Sequence, residues 1–277
     1  MKTRVAVWLL LLPVCGIGGK TNEAILSEVS VLTIHVSDTN THEGVFQFLQ
    51  DVLKLPVDYG PEMIGERRYA AVYAGNLFIE PCGPYSNMRY PVKDFRALFF
   101  GLNCRSPQSP SSIAAQLDRL KIAYEKEGPG VVRVQDGLIA DGIYLAVDSQ
   151  TKEKTAEEQE ALLASAMSAK QREGPGIEYV KEIQLGYVGP GSLKIWREFL
   201  GTPDRINDTS WRLNRNETIR LVRSKVQGVR GIVLKVRSLE KAEAYLKERS
   251  CVGRVVDGRI ELDKGQTFGL SIYFSAE

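Results

Sequence analysis

The chain has 277 residues, 43% apolar and 25% charged, so it has the material for a packed core, and wholesale disorder is excluded. Its 36 basic and 34 acidic side chains leave a formal charge of +2, which is no electrostatic footprint for nucleic acid. Only two histidines occur, His35 and His42, which excludes metal centres built on several imidazoles.

At the start of the chain, Lys2 and Arg4 precede an apolar run from Val5 to Val14 and the small-residue stretch Cys15-Gly16-Ile17-Gly18-Gly19. A charged beginning, a short apolar stretch and a small-residue exit describe a secretory signal peptide over residues 1–19. Export, periplasmic or secreted, is the expectation; a buried N-terminal strand is the alternative. A lipoprotein anchor at Cys15 is a lesser alternative, because Val14 stands where a small residue belongs. Cleavage would leave equal numbers of basic and acidic groups. It would also leave three cysteines, Cys82, Cys104 and Cys251, with no CxxC pair and at most one disulfide. No run of 18 apolar residues occurs, so no membrane-spanning helix is expected.

Ser30 to Ser37 is β-branched with Thr33 and His35 on one face, and predicts a strand. Val45 to Leu55 has helical apolar spacing and stops at Pro56. Arg68 to Ala74 and Asn76 to Glu80 predict strands hinged at Gly75, in a unit of about three strands after the helix. The pattern recurs as a strand over Ala97 to Cys104, a helix over Ser111 to Tyr124, and strands over Val131 to Val134 and Gly142 to Val147, turning at Asp136-Gly137. Thr151 to Arg172 predicts a charged linker helix, with Thr155 and Glu158 as a capping box, closed by Gly174-Pro175-Gly176.

A third unit follows: a strand over Val180 to Val188, a helix over Leu193 to Leu200, and strands over Trp211 to Leu213 and Thr218 to Arg223. The fourth has a strand over Gly231 to Val236 and a helix over Leu239 to Arg249. Its closing strands are Arg254 to Val256, Arg259 to Leu262 and Leu270 to Phe274. Four such units are a repeat, and one unit alone cannot bury both faces of its small sheet. The expected fold is therefore α+β: four βαβββ-type modules paired into two domains with curved mixed sheets, helices outside and clefts inside. The domains run over residues 28–150 and 177–277, with the linker helix over 151–176.

Three phrases carry a family resemblance. Phe48-Leu49-Gln50-Asp51-Val52-Leu53-Lys54-Leu55 and Trp196-Arg197-Glu198-Phe199-Leu200-Gly201 resemble one helix end. Val233 to Ala242 resembles a strand passing into a helix. In this order they resemble the vicinal oxygen chelate superfamily, which includes glyoxalases, extradiol ring-cleaving dioxygenases, and fosfomycin and bleomycin resistance proteins.

The resemblance implies one divalent metal in a cleft, held by first-strand residues (usually His) and last-strand residues (usually Glu). The first-strand positions fall at Val31, near Phe99, at Lys181 or Glu182, and at Gly231. The last-strand positions fall at Glu80, Ala146, Arg220 and Tyr273. The usual quartet is therefore missing from both domains. His35 shares a strand face with Val31 and Thr33, so His35 and Glu80 form the one candidate metal or catalytic pair, suited by ligand type to Zn, Fe or Mn. The alternatives are a hydrogen-bonded cleft histidine, and a Glu80 paired with Arg67 or Arg68.

Arg220 and Tyr273 are candidate ligand-binding residues, for a carboxylate or phosphate, with packing as the alternative. Thr33 lies on the same cleft face as His35. Tyr85, with Met88 and Tyr90, is a candidate for the mouth of the first cleft. His42 is read as a solvated first-turn residue. Three functions follow in order: an exported small-molecule-binding protein with a degenerate metal site; a divalent-metal-dependent lyase or dioxygenase using His35 and Glu80; and a structural or partner-binding module. The oligomeric state stays open.

Overall fold

A computed structural model describes residues 24–84, 98–126, 130–135, 143–148, 154–201 and 209–277. The signal segment with Cys15, the Asp136-Gly137 turn, and Tyr85, Met88 and Tyr90 lie outside the described residues.

The first module is β1 (Glu28–Val36), α1 (Thr39–Gln47) running into a π-helical turn (Phe48–Val52), β2 (Val57–Ile64), β3 (Arg67–Tyr73) and β4 (Phe78–Gly83). The second is β5 (Leu98–Arg105), α2 (Pro110–Leu120), β6 (Tyr124–Lys126), β7 (Val131–Val134) and β8 (Ile143–Asp148). After α3 (Lys154–Glu173) come β9 (Ile177–Tyr187), α4 (Pro190–Leu200), β10 (Ser210–Arg212) and β11 (Thr218–Arg223). The last module is β12 (Gly228–Val236), α5 (Leu239–Lys247), β13 (Val252–Val256), β14 (Arg259–Leu262) and β15 (Ile272–Ser275).

The modules pair as expected. One sheet has the order β2-β3-β4-β1-β5-β8-β7-β6, the other β10-β11-β9-β12-β15-β14-β13. In each, the two first strands meet antiparallel at the centre, while each lies parallel to the last strand of its own module. The fold is α+β with two curved mixed sheets.

Strand alternation sorts the faces. On β1, Leu32, Ile34 and Val36 are fully buried in the hydrophobic core, and Thr33 and His35 point the other way. On β12 and β15 the core residues are Ile232, Leu234, Ile272 and Phe274. Helix α4 adds Trp196 and Phe199, each contributing several kcal/mol on burial, about 1.5–3 for a Phe-sized side chain.

Several boundaries differ from the sequence reading. The first helix begins earlier, at Thr39, because Asp38 caps it by accepting from the Thr41 amide at 2.8 Å. Helix α2 ends at Leu120 rather than Tyr124: Lys121 turns left-handed at φ 57°, and Tyr124 opens β6. Helix α3 is already helical at Lys154, so Thr155 is not its cap. Cys82, Cys104 and Cys251 are all buried, and none is in a disulfide among the described residues.

Polar side chains tie the two sheets together. Asn76, after β3, accepts from the Val180 amide and donates to the Val180 and Arg215 carbonyls, all at 3.0–3.1 Å. Glu217 accepts from the Val29 amide at 2.9 Å. Gln171 of α3 donates to the Leu53 and Lys54 carbonyls and accepts from the Gly176 and Ile177 amides. Its four bonds link the first helix, the linker and β9. No helix of the described residues is long and apolar enough to cross a membrane.

Candidate functional site

The concave face of the first sheet gathers Thr33 and His35 from β1, Glu80 from β4 and Tyr59 from β2. Thr33 and Glu80 are register partners, so their side chains leave the sheet on one side. Glu80 Oε2 accepts from the Tyr59 hydroxyl at 2.8 Å, and Oε1 from Thr33 Oγ1 at 3.4 Å. Tyr59 arrives from a strand two places away, which requires the sheet to curl over its own face. Burial pushes the Glu80 carboxyl above the ordinary carboxylate range, and the two hydroxyls draw it partly back. The alternative, Glu80 paired with Arg67 or Arg68, is not what is found: two hydroxyls hold the carboxylate, and Arg68 pairs instead with Glu43 at 3.6 Å.

His35 is buried, and its imidazole is pushed down to about 3 by that burial and by the nearby Arg67 charge. It is a neutral ring throughout the physiological range. Along the β1–β4 ladder it lies opposite Cys82, one pleat beyond the Thr33–Glu80 pair. His42 corrects the sequence reading. With the helix starting at Thr39, its fourth residue faces inward; His42 is fully buried and donates from Nε2 to the Pro81 carbonyl at 3.2 Å.

The concave face of the second sheet carries Glu182 and Gln184 (β9), Arg220 (β11), Lys235 (β12), Arg259 and Glu261 (β14), and Tyr273 (β15). Arg220 and Tyr273 are thus on the cleft face. Arg220 is 42% exposed and 3.7 Å from the Glu182 carboxylate, so it stays over the cleft.

Strand register fixes the eight family ligand positions. The last-strand Glu80 lies opposite Thr33, two residues beyond Val31. The same offset recurs where Arg220 meets Gln184, Tyr273 meets Val233, and Ala146 meets Asn103. The third position is therefore Glu182 rather than Lys181, and the second is Gly101 rather than Phe99. The antiparallel pairs Thr33–Gly101 and Val233–Glu182 agree. A β-bulge between Val180 and Glu182 inserts Lys181, which is why the sequence left two choices.

These side chains do not fit the metal that the fold family implies. In the first sheet Val31, Gly101 and Ala146 have no side-chain lone pairs, leaving Glu80. In the second, Glu182 is committed to two arginines. The space at Gly231 is also taken: a Cβ there would lie 2.9 Å from the Tyr273 ring and 3.1 Å from the Ser271 carbonyl oxygen. Among the described residues no group of three or more His, Cys, Asp or Glu is placed to hold a metal ion.

Tyr59, Glu182, Gln184 and Arg259 are the cleft residues that the sequence reading passed over or left ambiguous. Only the Val57-Asp58-Tyr59 alternation after Pro56 hinted at β2.

No family model and no curated protein sequence matches the chain. Solved structures do. The substrate complex of homoprotocatechuate 2,3-dioxygenase from Brevibacterium fuscum, with 3,4-dihydroxyphenylacetate, superposes at a TM-score of 0.58 and 13% identity, over 92% of this chain and 82% of that one. The 2,3-dioxygenase LapB from Pseudomonas sp. KL28 gives 0.57 and 13%, over 91% and 93%. The E323L mutant of the Brevibacterium enzyme gives 0.57 and 12%, over 93% and 73%. Tandem modules, central first-strand pairing and this superposition together show that the chain has the two-domain vicinal oxygen chelate fold of the extradiol dioxygenases.

Proposed function

We propose that this protein binds a small polar molecule in the cleft of its first sheet, with Glu80 as the anchoring acceptor. The observation that supports this reading is the Glu80 carboxylate, turned into the cleft and oriented by Tyr59 and Thr33 from two different strands. A carboxylate so held is preorganised to accept a ligand N–H or O–H without first losing side-chain freedom. His35 stays neutral beside it and supplies polar surface without charge.

The likeness in fold to 2,3-dioxygenases is what supports a second reading, a dioxygenase using His35 and Glu80, which would have to hold a metal with fewer side-chain ligands than the family's usual set. One experiment separates the two. The melting temperature of the full chain is measured against a panel of small phenols, amines and alcohols, with and without added Fe, Zn or Mn. The first reading expects a saturable rise with at least one ligand, independent of metal and abolished by Glu80→Gln. A rise that appears only after metal loading, and disappears in His35→Ala, would overturn it in favour of the second.

We also propose that the protein acts outside the cytoplasm after losing residues 1–19. The charged, apolar and small-residue order of that segment supports this. Intact mass of protein recovered from the exported fraction should correspond to a chain beginning near Lys20; a chain beginning at Met1 would refute it.

A further inference from the structure

In the second cleft, the Glu182 carboxylate lies between two guanidinium groups. Oε2 is 3.7 Å from Arg220 Nη1, and Oε1 is 3.6 Å from Arg259 Nη1. Gln184 Nε2 donates to Oε1 at 2.7 Å and fixes the carboxylate plane. Both ion pairs are longer than the roughly 2.7–2.9 Å of a charge-assisted hydrogen bond. The guanidinium N–H groups therefore retain donor capacity. Glu182 is only 10% exposed, against 42% for Arg220 and 30% for Arg259, so the carboxylate forms a floor from which the two cations open to solvent.

Charge on this face is unbalanced. The Glu182 carboxylate faces two guanidiniums, with Lys181, Lys235 and the acidic Glu277 beside them. Burial, and then the Arg259 and Lys235 charges, pull Lys181 below its ordinary value, and the Glu182 and Glu277 carboxylates offset this only in part. The lysine ammoniums donate to main-chain oxygens, Lys181 to Glu277 and Lys235 to Ala276. Glu261 is engaged by Arg254 and Lys264. The arginines are thus the cations with donors to spare, and their planar forks match oxyanions bidentately.

We propose that the second sheet holds an oxyanion-binding site in which Arg220 and Arg259 clamp the carboxylate or phosphate group of a small molecule, with Glu182 and Gln184 as its floor and Tyr273 on the same face as a further donor. The site shares no residue with the Glu80 cleft, and stands or falls separately from the binding reading given above.

Isothermal titration calorimetry of the full chain at fixed ionic strength tests it, with inorganic phosphate, acetate and chloride as titrants. Saturable binding of phosphate or acetate but not chloride is expected; which of the two binds tells a phosphate-bearing ligand from a carboxylate. An Arg220→Gln, Arg259→Gln double variant should lose that binding, and Glu80→Gln should keep it. Glu182→Gln should tighten it about five- to tenfold, because a like charge leaves the site. Equal heats from all three anions would overturn the proposal, as would unchanged affinity in the double variant. If the double variant does not fold, Glu182→Gln decides: weaker or unchanged affinity would mean the arginines serve only as counter-ions to Glu182.

Discussion

Gly231 and His35 show how single residues set what each cleft can hold. At Gly231 the missing side chain leaves room for the Tyr273 ring, so Gly231→Ala brings a methyl to 2.9 Å from it. Overpacking of this kind costs about 1–3 kcal/mol, and urea unfolding should show a loss in that range. A Gly231→Ala, Tyr273→Ala pair should recover part of it, since the contact is then gone. At His35 the folded ring titrates at about 3, well below its unfolded value. The unfolded chain therefore binds this proton more readily. The stability it contributes is complete above about pH 6.5 and is lost as pH falls toward 3. Glu80 acts in the opposite sense, because its raised carboxyl favours the folded state only while protonated. Denaturant midpoints from pH 7 down to 4 should fall for the native chain and fall less for His35→Gln. An equally steep fall in the variant would assign the acid sensitivity elsewhere.

At the scale of elements, most of the chain was legible as hydrophobic period. β14 spans the expected Arg259–Leu262, and the first strand of each module lies within one to three residues of its expected start. One error, the start of the first helix, is a missed side-chain cap at Asp38; the others come from backbone events that side-chain pattern does not carry. Helix α2 stops because Lys121 adopts a left-handed conformation, with its amide bonded to the Asp118 and Leu117 carbonyls. An L-residue there is strained, so Lys121→Gly should stabilise the chain by about 0.5–1 kcal/mol, read as a rise in melting temperature. The π-helical turn over Phe48–Val52 adds a residue to a helical pattern that already fits the apolar spacing, and leaves no sequence mark.

At the scale of the whole molecule, one buried apolar cluster runs through both sheets, and polar side chains at their seam, Asn76 and Gln171 among them, add hydrogen bonds across it. A Cβ at Gly75 would lie 2.0 Å from the Glu178 carbonyl oxygen, and φ there is +92°, so no other residue fits. Next to it, Asn76 makes three bonds to Val180 and Arg215. Asn76→Ala leaves the buried Val180 amide unpaired and should cost about 2–4 kcal/mol. Scanning calorimetry should then show two transitions where the native chain is expected to show one, as the sheets lose their coupling. A single transition at unchanged temperature would show that the seam is held elsewhere.

The sequence by itself determined the repeat, the α+β class and the pairing of modules two by two, because strand and helix periods are local and a lone module cannot bury its sheet. It also determined that histidine is absent from the family's ligand positions. The tertiary structure alone decided which side chains meet. Glu182 and Arg259 stand on strands three places apart, roughly 14 Å in a flat sheet at the usual spacing, and touch only because the sheet curls. Glu80 and Tyr59 meet for the same reason. Curvature is a property of the assembled sheet, and no window of sequence contains it.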